Sequence, residues 1–225
     1  MSADGFKEIS GESLLIKTPA RIFCAGPSGS GKTTFVKDLL LNLETLDKPV
    51  RNIVFCYSAD QPIYQELRDS YPKEITFVHG FSPSIQTLID DPNHHDLVIF
   101  DDLIHEAGSS DFFLKLYTTY SHHWNCSIFT LSQNIYYQSK FLRTCNLQAT
   151  GLVLFKTVRG LDQIMTLGRQ ICPHNPGFLR DIFVDATNVE HSYLFVDLTP
   201  FCPEELVFRT NVFPHKRTFV YKKDS

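Results

Sequence analysis

Gly26-Pro-Ser-Gly-Ser-Gly31-Lys32-Thr33 follows an apolar run, Arg21 to Ala25, and opens a segment, Lys32 to Leu43, in which Phe35, Val36, Leu39, Leu40 and Leu43 share one helical face. The octapeptide satisfies G-x-x-x-x-G-K-[ST] in full, between a strand and a helix, the context that gives the pattern its meaning. Glycine is required there for a steric reason. Without Cβ atoms the turn can aim successive backbone N–H groups inward at the positive end of the helix, forming a cradle for phosphate oxygens. That cradle is expected to run through Gly26, Pro27, Ser28, Gly29, Ser30, Gly31, Lys32, Thr33 and Thr34. Lys32 is expected to neutralise the β- and γ-phosphates of ATP, and the Thr33 hydroxyl to ligate Mg²⁺.

Working outward, strand-like runs alternate with helix-compatible segments, as in a parallel sheet with helices on both faces. Asn52 to Tyr57 is β-branched and aromatic, and Pro62 to Asp69 follows as a helix whose proline suits the first turn. Ile75 to Val78 reads as a short additional strand, and Ser82 to Asp90 as a helix capped by serine and opened by Pro83. Asp111 to Tyr120 and Phe178 to Val184 read as helices, Cys126 to Leu131 and Leu152 to Phe155 as strands. Tyr193 to Val196 and Leu206 to Phe213 predict a C-terminal β-hairpin flanking the main sheet. At 225 residues one α/β domain is expected over 1–225, with a core of about 20–170 and an extension of about 171–225.

The segment Asp96 to Phe100 reads as a central strand buried on both faces, and it ends in Asp101-Asp102, at the edge where such sheets hold ligands. A strand that delivers carboxylates to its tip can place one beside the metal of the loop. Asp101 is therefore the Mg²⁺ candidate, acting through water. Asp102 is positioned to polarise an attacking water, with Glu106 in reserve for that role. The alternative for both aspartates is capping of the segment that follows.

Composition narrows the classes. Charged residues at 20% and hydrophobic ones at 43% suit a folded, water-soluble chain and not a disordered or fibrous one. A net charge of −4 lacks the broad basic footprint of a nucleic-acid binder, so any DNA contact must be local. The basic cluster Lys216, Arg217, Lys222 and Lys223, interleaved with Phe219 and Tyr221, reads as a solvated tail or as such a contact. Six cysteines stand singly, which fits a reduced intracellular compartment. Cys172 and His174 beside His122 and His123 lack zinc-site spacing, and His94-His95 reads as a polar loop entering the acidic strand. No apolar stretch reaches membrane-spanning length, and no secretory leader opens the chain, so no membrane partner is expected.

A further strand ends Thr130-Leu-Ser-Gln133, and this order resembles the RecA-like (ASCE) branch of P-loop NTPases, in which a polar strand-tip residue senses the γ-phosphate. By that resemblance Gln133 takes the sensing role. Gln133-Asn-Ile-Tyr-Tyr137, Leu142-Arg143, Asn146 and the strand Gly151 to Lys156 complete an ordering similar to the FtsK/HerA superfamily. The likeness is to the genome-packaging ATPases of poxviruses, giant DNA viruses, virophages and Polinton elements, and it spans Arg21 to Arg169 in motif order. It implies a Mg²⁺-dependent ATP hydrolase in a homo-oligomeric ring, a pentamer or hexamer. The ring would hold ATP between subunits, move double-stranded DNA into a preformed capsid and dock on capsid or portal-vertex proteins. Arg143 maps onto the arginine finger that reaches the γ-phosphate of a neighbour, with Arg159 and Arg169 as further candidates. The implied location is the host cytoplasm or nucleus at sites of virion assembly, or the virion itself.

Two other classes share the loop. A small-molecule or nucleotide kinase carries it at this length, but here the paired acids lie on a strand set apart from the loop strand. No arginine-rich lid is evident either, although Arg159, Arg169 and Arg180 imitate one. An assembly factor that binds ATP without turnover is the third.

Overall fold

An uninterrupted apolar run such as Leu97 to Phe100 is stable as a strand only where both faces are covered. The computed structural model describes residues 6–8, 14–70, 75–89, 91–107, 110–136, 144–145 and 147–222, and it sets this run inside a 10-stranded sheet. The strands are β1 (Phe6–Glu8), β2 (Arg21–Ala25), β3 (Ile53–Tyr57), β4 (Ile75–His79), β5 (Asp96–Asp101), β6 (Cys126–Ser132), β7 (Gly151–Phe155), β8 (Tyr193–Asp197), β9 (Phe208–Arg209) and β10 (Phe219–Tyr221). The helices are α1 (Lys32–Leu41), α2 (Pro62–Ser70), α3 (Ile104–Ala107), α4 (Asp111–Lys115), α5 (Ser121–His123), α6 (Leu161–Ile171) and α7 (Pro176–Ala186).

The strand order is β1-β10-β9-β8-β7-β2-β6-β5-β3-β4. From β7 to β4 every neighbour is parallel, whereas β8, β9, β10 and β1 continue the sheet antiparallel. β6 lies between the loop strand β2 and the acidic strand β5, in the arrangement expected of a RecA-like P-loop fold. Alternate side chains feed two cores. On one face Phe35, Val36 and Leu39 of α1 meet Ile22, Leu97, Ile99 and Phe129. On the other, Phe23, Val98 and Phe100 meet Phe113, Ile164, Leu179 and Phe183. Each large apolar side chain so buried contributes about 1.5–3 kcal/mol.

Several expected elements change character for local reasons. The helix expected from Ser82 to Asp90 is a 3₁₀ turn, Pro83–Leu88. Ser82 Oγ accepts from the Ser84 amide at 3.3 Å and Thr87 donates to the Ser84 carbonyl at 2.8 Å, bonds that compete with an α-helical ladder. Asp90 lies outside the described residues. The helix expected from Asp111 to Tyr120 is α-helical to Lys115 and then widens into a π-helical turn, Leu116–Tyr120. There Thr118 donates to the Leu114 carbonyl and Ser121 to that of Tyr117.

The C-terminal pair β8 and β9 does run antiparallel, but it extends the main sheet rather than flanking it, because β8 pairs directly with β7. The strand expected from Leu206 to Phe213 shrinks to Phe208–Arg209. Beyond it the Asn211 side chain donates to the Phe213 carbonyl at 3.0 Å and accepts from Tyr193 Oη at 3.0 Å, folding the chain over α1. Phe35, Tyr193 and Phe213 pack there with ring centroids 5.1 and 5.4 Å apart.

The basic cluster is not a free tail, although Lys216, Arg217 and Lys222 keep their side chains exposed. Phe219 to Tyr221 is β10, paired with β1 and β9, and Val220 is fully buried. Lys216 bonds Asp38 of α1 at 2.7 Å and Lys222 bonds Glu205 at 3.2 Å. Lys223 lies outside the described residues. His95 is buried too, with Nε2 2.8 Å from Ser127 Oγ, while His94 stays exposed.

Candidate nucleotide-binding site

β2 delivers the loop. The Gly26 amide donates to the Ser132 carbonyl at 3.0 Å, fixing the start of the turn against the tip of β6. Gly29 and Gly31 adopt φ of 75° and 109°, a left-handed region that L side chains rarely tolerate. A Cβ on Gly26 would stand 2.6 Å from the Cβ of Phe155, so a side chain there would collide with β7. α1 starts without a side-chain cap and without an acidic residue in its first turn. Its first N–H groups are therefore unsatisfied by side chains and carry the positive end of the helix dipole. Ser30 Oγ is buried without a partner among the described residues. These features fit a phosphate ligand, which would supply the acceptors that the loop lacks.

Lys32 folds back across the loop, where its ammonium donates to the carbonyls of Gly26 at 2.6 Å and Pro27 at 2.9 Å. Burial lowers its pKa, opposed by the charges of Asp101 and Asp102. Asp101 closes β5 at 4% exposure. Burial raises its pKa, and the hydrogen bond from Tyr64, the charge of Lys32 and a hydrogen bond from Thr33 pull it back. A serine or threonine hydroxyl beside a carboxylate is a hard-oxygen donor set of the kind Mg²⁺ takes, so Thr33 and Asp101 fit the metal.

Asp102 lies just past the strand end with φ 54°, exposed, and its Oδ2 is 3.5 Å from Nε2 of Gln133. The structure thus brings Lys32, Thr33, Asp101, Asp102 and Gln133 to one edge of the sheet. Glu106 is held elsewhere, accepting from the Phe81 amide at 3.1 Å. Arg143 and Asn146 lie outside the described residues. Arg169 occupies the last turn of α6, while Arg159 precedes that helix and borders a cavity of about 260 Å³ that also touches Gly26 and Gln133.

Sequence reasoning missed Tyr64. It is fully buried on α2, and its hydroxyl donates to Asp101 Oδ2 at 2.7 Å. In the sequence it reads as one more apolar residue of an amphipathic helix, and no local pattern announces its partner. His191 was missed as well. In a left-handed conformation (φ 60°) it packs its Cβ where a Cβ of Gly31 would lie only 3.0 Å away.

No protein-family model and no curated protein matches the chain. Solved structures do. The genome packaging NTPase B204 of Sulfolobus turreted icosahedral virus 2, in complex with ATPγS, is 13% identical over 91% of this chain and 97% of that one, with a TM-score of 0.54. The cytoplasmic domain of the type VII secretion ATPase EccC of Thermomonospora curvata is 12% identical over 90% of this chain, with a TM-score of 0.51. The match spans 25% of the EccC chain. At these identities the likeness is one of architecture, and it shows that this chain has the P-loop NTPase fold shared by a viral packaging NTPase and a secretion ATPase.

Proposed function

We propose that the chain is a Mg²⁺-dependent ATP hydrolase, a single domain over 1–225, that works in a homo-oligomeric ring to move double-stranded DNA into a preformed capsid. One observation carries the ATP half of this reading. The buried Asp101 carboxylate, Thr33 and Lys32 come together at the mouth of a glycine loop whose helix starts without a side-chain cap, with Gln133 Nε2 and Asp102 Oδ2 3.5 Å apart alongside. The loop amides and the Lys32 ammonium bind the triphosphate. Thr33 and Asp101 would hold Mg²⁺, which would supply charge neutralisation to the triphosphate. Asp102 orients and deprotonates the attacking water, Gln133 reports the γ-phosphate, and Tyr64 fixes the Asp101 carboxylate. The fold likeness to B204, a genome packaging NTPase, supports the motor half, with capsid or portal-vertex proteins as docking partners and Arg143 reaching a neighbouring subunit.

The test is phosphate release by the purified chain with and without Mg²⁺ and double-stranded DNA, paired with a size measurement in ATPγS. A DNA-stimulated, Mg²⁺-dependent rate from an assembled ring is expected. A monomer that ignores DNA and phosphorylates a nucleoside acceptor would redirect the reading to a kinase. Absence of release in every arm would leave an ATP-binding assembly factor.

A further inference from the structure

The cavity of about 260 Å³ opens between the tips of β2, β6 and β7 and the start of α6. Its lining joins Gly26 and Gln133 to Thr157, Arg159 and Gln163. Gln163 is already engaged, since its Oε1 accepts from the Ile135 amide at 3.3 Å. Arg159 is not. Among the described residues no hydrogen bond or ion pair holds its guanidinium, although most arginines described here have one: Arg21 with Tyr117, Arg51 with Asp91, Arg68 with Asp60, Arg180 with Asp181 and Arg209 with Asp197.

Its position is fixed by short-range geometry. β7 abuts the loop directly, since a Cβ on Gly26 would meet that of Phe155 at 2.6 Å, and Arg159 follows Phe155 across one tight turn. That turn is closed by Gly160, where a Cβ would lie 2.7 Å from Thr157 Cγ2, and α6 then carries the chain away. Arg169 stands at the far end of α6, roughly 12 Å of helical rise beyond Leu161, and does not line the cavity.

We propose that Arg159 reads the terminal phosphate of the nucleotide held by its own subunit, entering from the cavity side opposite Lys32. This deepens the proposed ATPase and rests on the phosphate-loop reading. The loop amides grip the diphosphate portion common to ADP and ATP, and Lys32 spans the β- and γ-phosphates. An arginine reaching from beyond Gly26 and Gln133 touches only the group that distinguishes ATP from ADP, through a charge-assisted hydrogen bond to a γ-oxygen. Arg159 is thereby separated from an arginine finger, which acts on a neighbouring subunit and works only on assembly.

The experiment is equilibrium binding of ATPγS and of ADP, with Mg²⁺, to the full chain at concentrations where it is monomeric. Arg159→Gln is expected to weaken ATPγS about tenfold while leaving ADP unchanged, with Arg159→Lys between it and the parent chain. Arg169→Gln should leave both nucleotides unchanged. Equal weakening of ATPγS and ADP, no change in either, or an effect that arises only in assembled rings overturns the assignment. A parent chain that binds neither nucleotide overturns the phosphate-loop reading and this inference together. Melting temperature reports folding of each variant, and the exposed position of Arg159 makes a folding defect unexpected.

Discussion

The parallel strands β2 to β7 and the antiparallel strands β8, β9, β10 and β1 form one sheet but treat charge in opposite ways. In the parallel half, charged and polar groups gather at the strand tips and are left unfinished. Among the described residues helix α1 has no side-chain cap and Ser30 Oγ has no partner, and Asp101 bears a burial that raises its pKa. In the antiparallel half the charges consume one another inside. Arg209 is 1% exposed, donates to Asp197 at 2.8 Å and to the Leu14 carbonyl at 3.2 Å, and lies 4.8 Å over the Phe195 ring. Burial lowers the pKa of Arg209 and Asp197 opposes that, as in an ion pair retained for structure. The lesson is that charge pairing separates the two uses of a charged residue: Arg209, although its Nε has no hydrogen-bond partner among the described residues, meets its counter-charge inside the fold and builds, whereas the groups around the loop face an uncapped helix start and bind.

Exchanging the losses tests this division. Lys32→Ala should weaken ATP binding roughly 100-fold or more, since two charge-assisted contacts to phosphate disappear. The same change should leave the melting temperature close to that of the parent, because the ammonium bonds only carbonyls of its own loop. Titration calorimetry and a thermal melt on one sample check both halves. Arg209→Ala should do the reverse. Breaking the buried pair strands Asp197 and costs about 3–5 kcal/mol, while the fraction that remains folded binds ATPγS with parental affinity. A binding defect in Arg209→Ala as large as that in Lys32→Ala would abolish the distinction.

The same division explains what the sequence disclosed. The parallel half was legible because its strands are buried on both faces and so are apolar almost throughout, and because its loop carries chemistry in a contiguous octapeptide. Leu97 to Phe100 and Gly26 to Thr33 needed no distant information. The antiparallel half was less so. β10 hides in a run of lysines and aromatics, and its pairing depends on β1, which lies more than two hundred residues earlier in the chain. The helix α6 was overlooked although Leu161, Ile164, Leu167 and Ile171 recur at helical spacing, because Gly168 argues against a helix interior. That glycine is needed for packing: a Cβ there would stand 2.5 Å from the Pro176 carbonyl oxygen of α7. The contact between Tyr64 and Asp101 joins α2 to β5 and has no sequence signature at all.

The smallest effect expected is also the most specific to the site half. A carboxyl whose folded pKa is raised binds its proton more tightly in the folded chain than in the unfolded one. The stability it contributes is present below the unfolded pKa and is lost as pH rises through the folded value. At neutral pH the ionised Asp101 therefore burdens the fold, with burial the first cause. Asp101→Asn should abolish Mg²⁺-dependent hydrolysis and yet raise the melting temperature, by about 2–4 °C for each kcal/mol recovered. The gain should be fullest near about pH 8 and shrink as pH falls toward the carboxyl range. Asp102→Asn is the control: the side chain is exposed, and asparagine tolerates the left-handed backbone at φ 54°, so its melting temperature at neutral pH should stay close to that of the parent. Identical melting curves for Asp101→Asn and the parent across that range would mean that the carboxylate at the tip of β5 is satisfied as fully as the one facing Arg209, and the two halves of the sheet would no longer differ in how they treat charge.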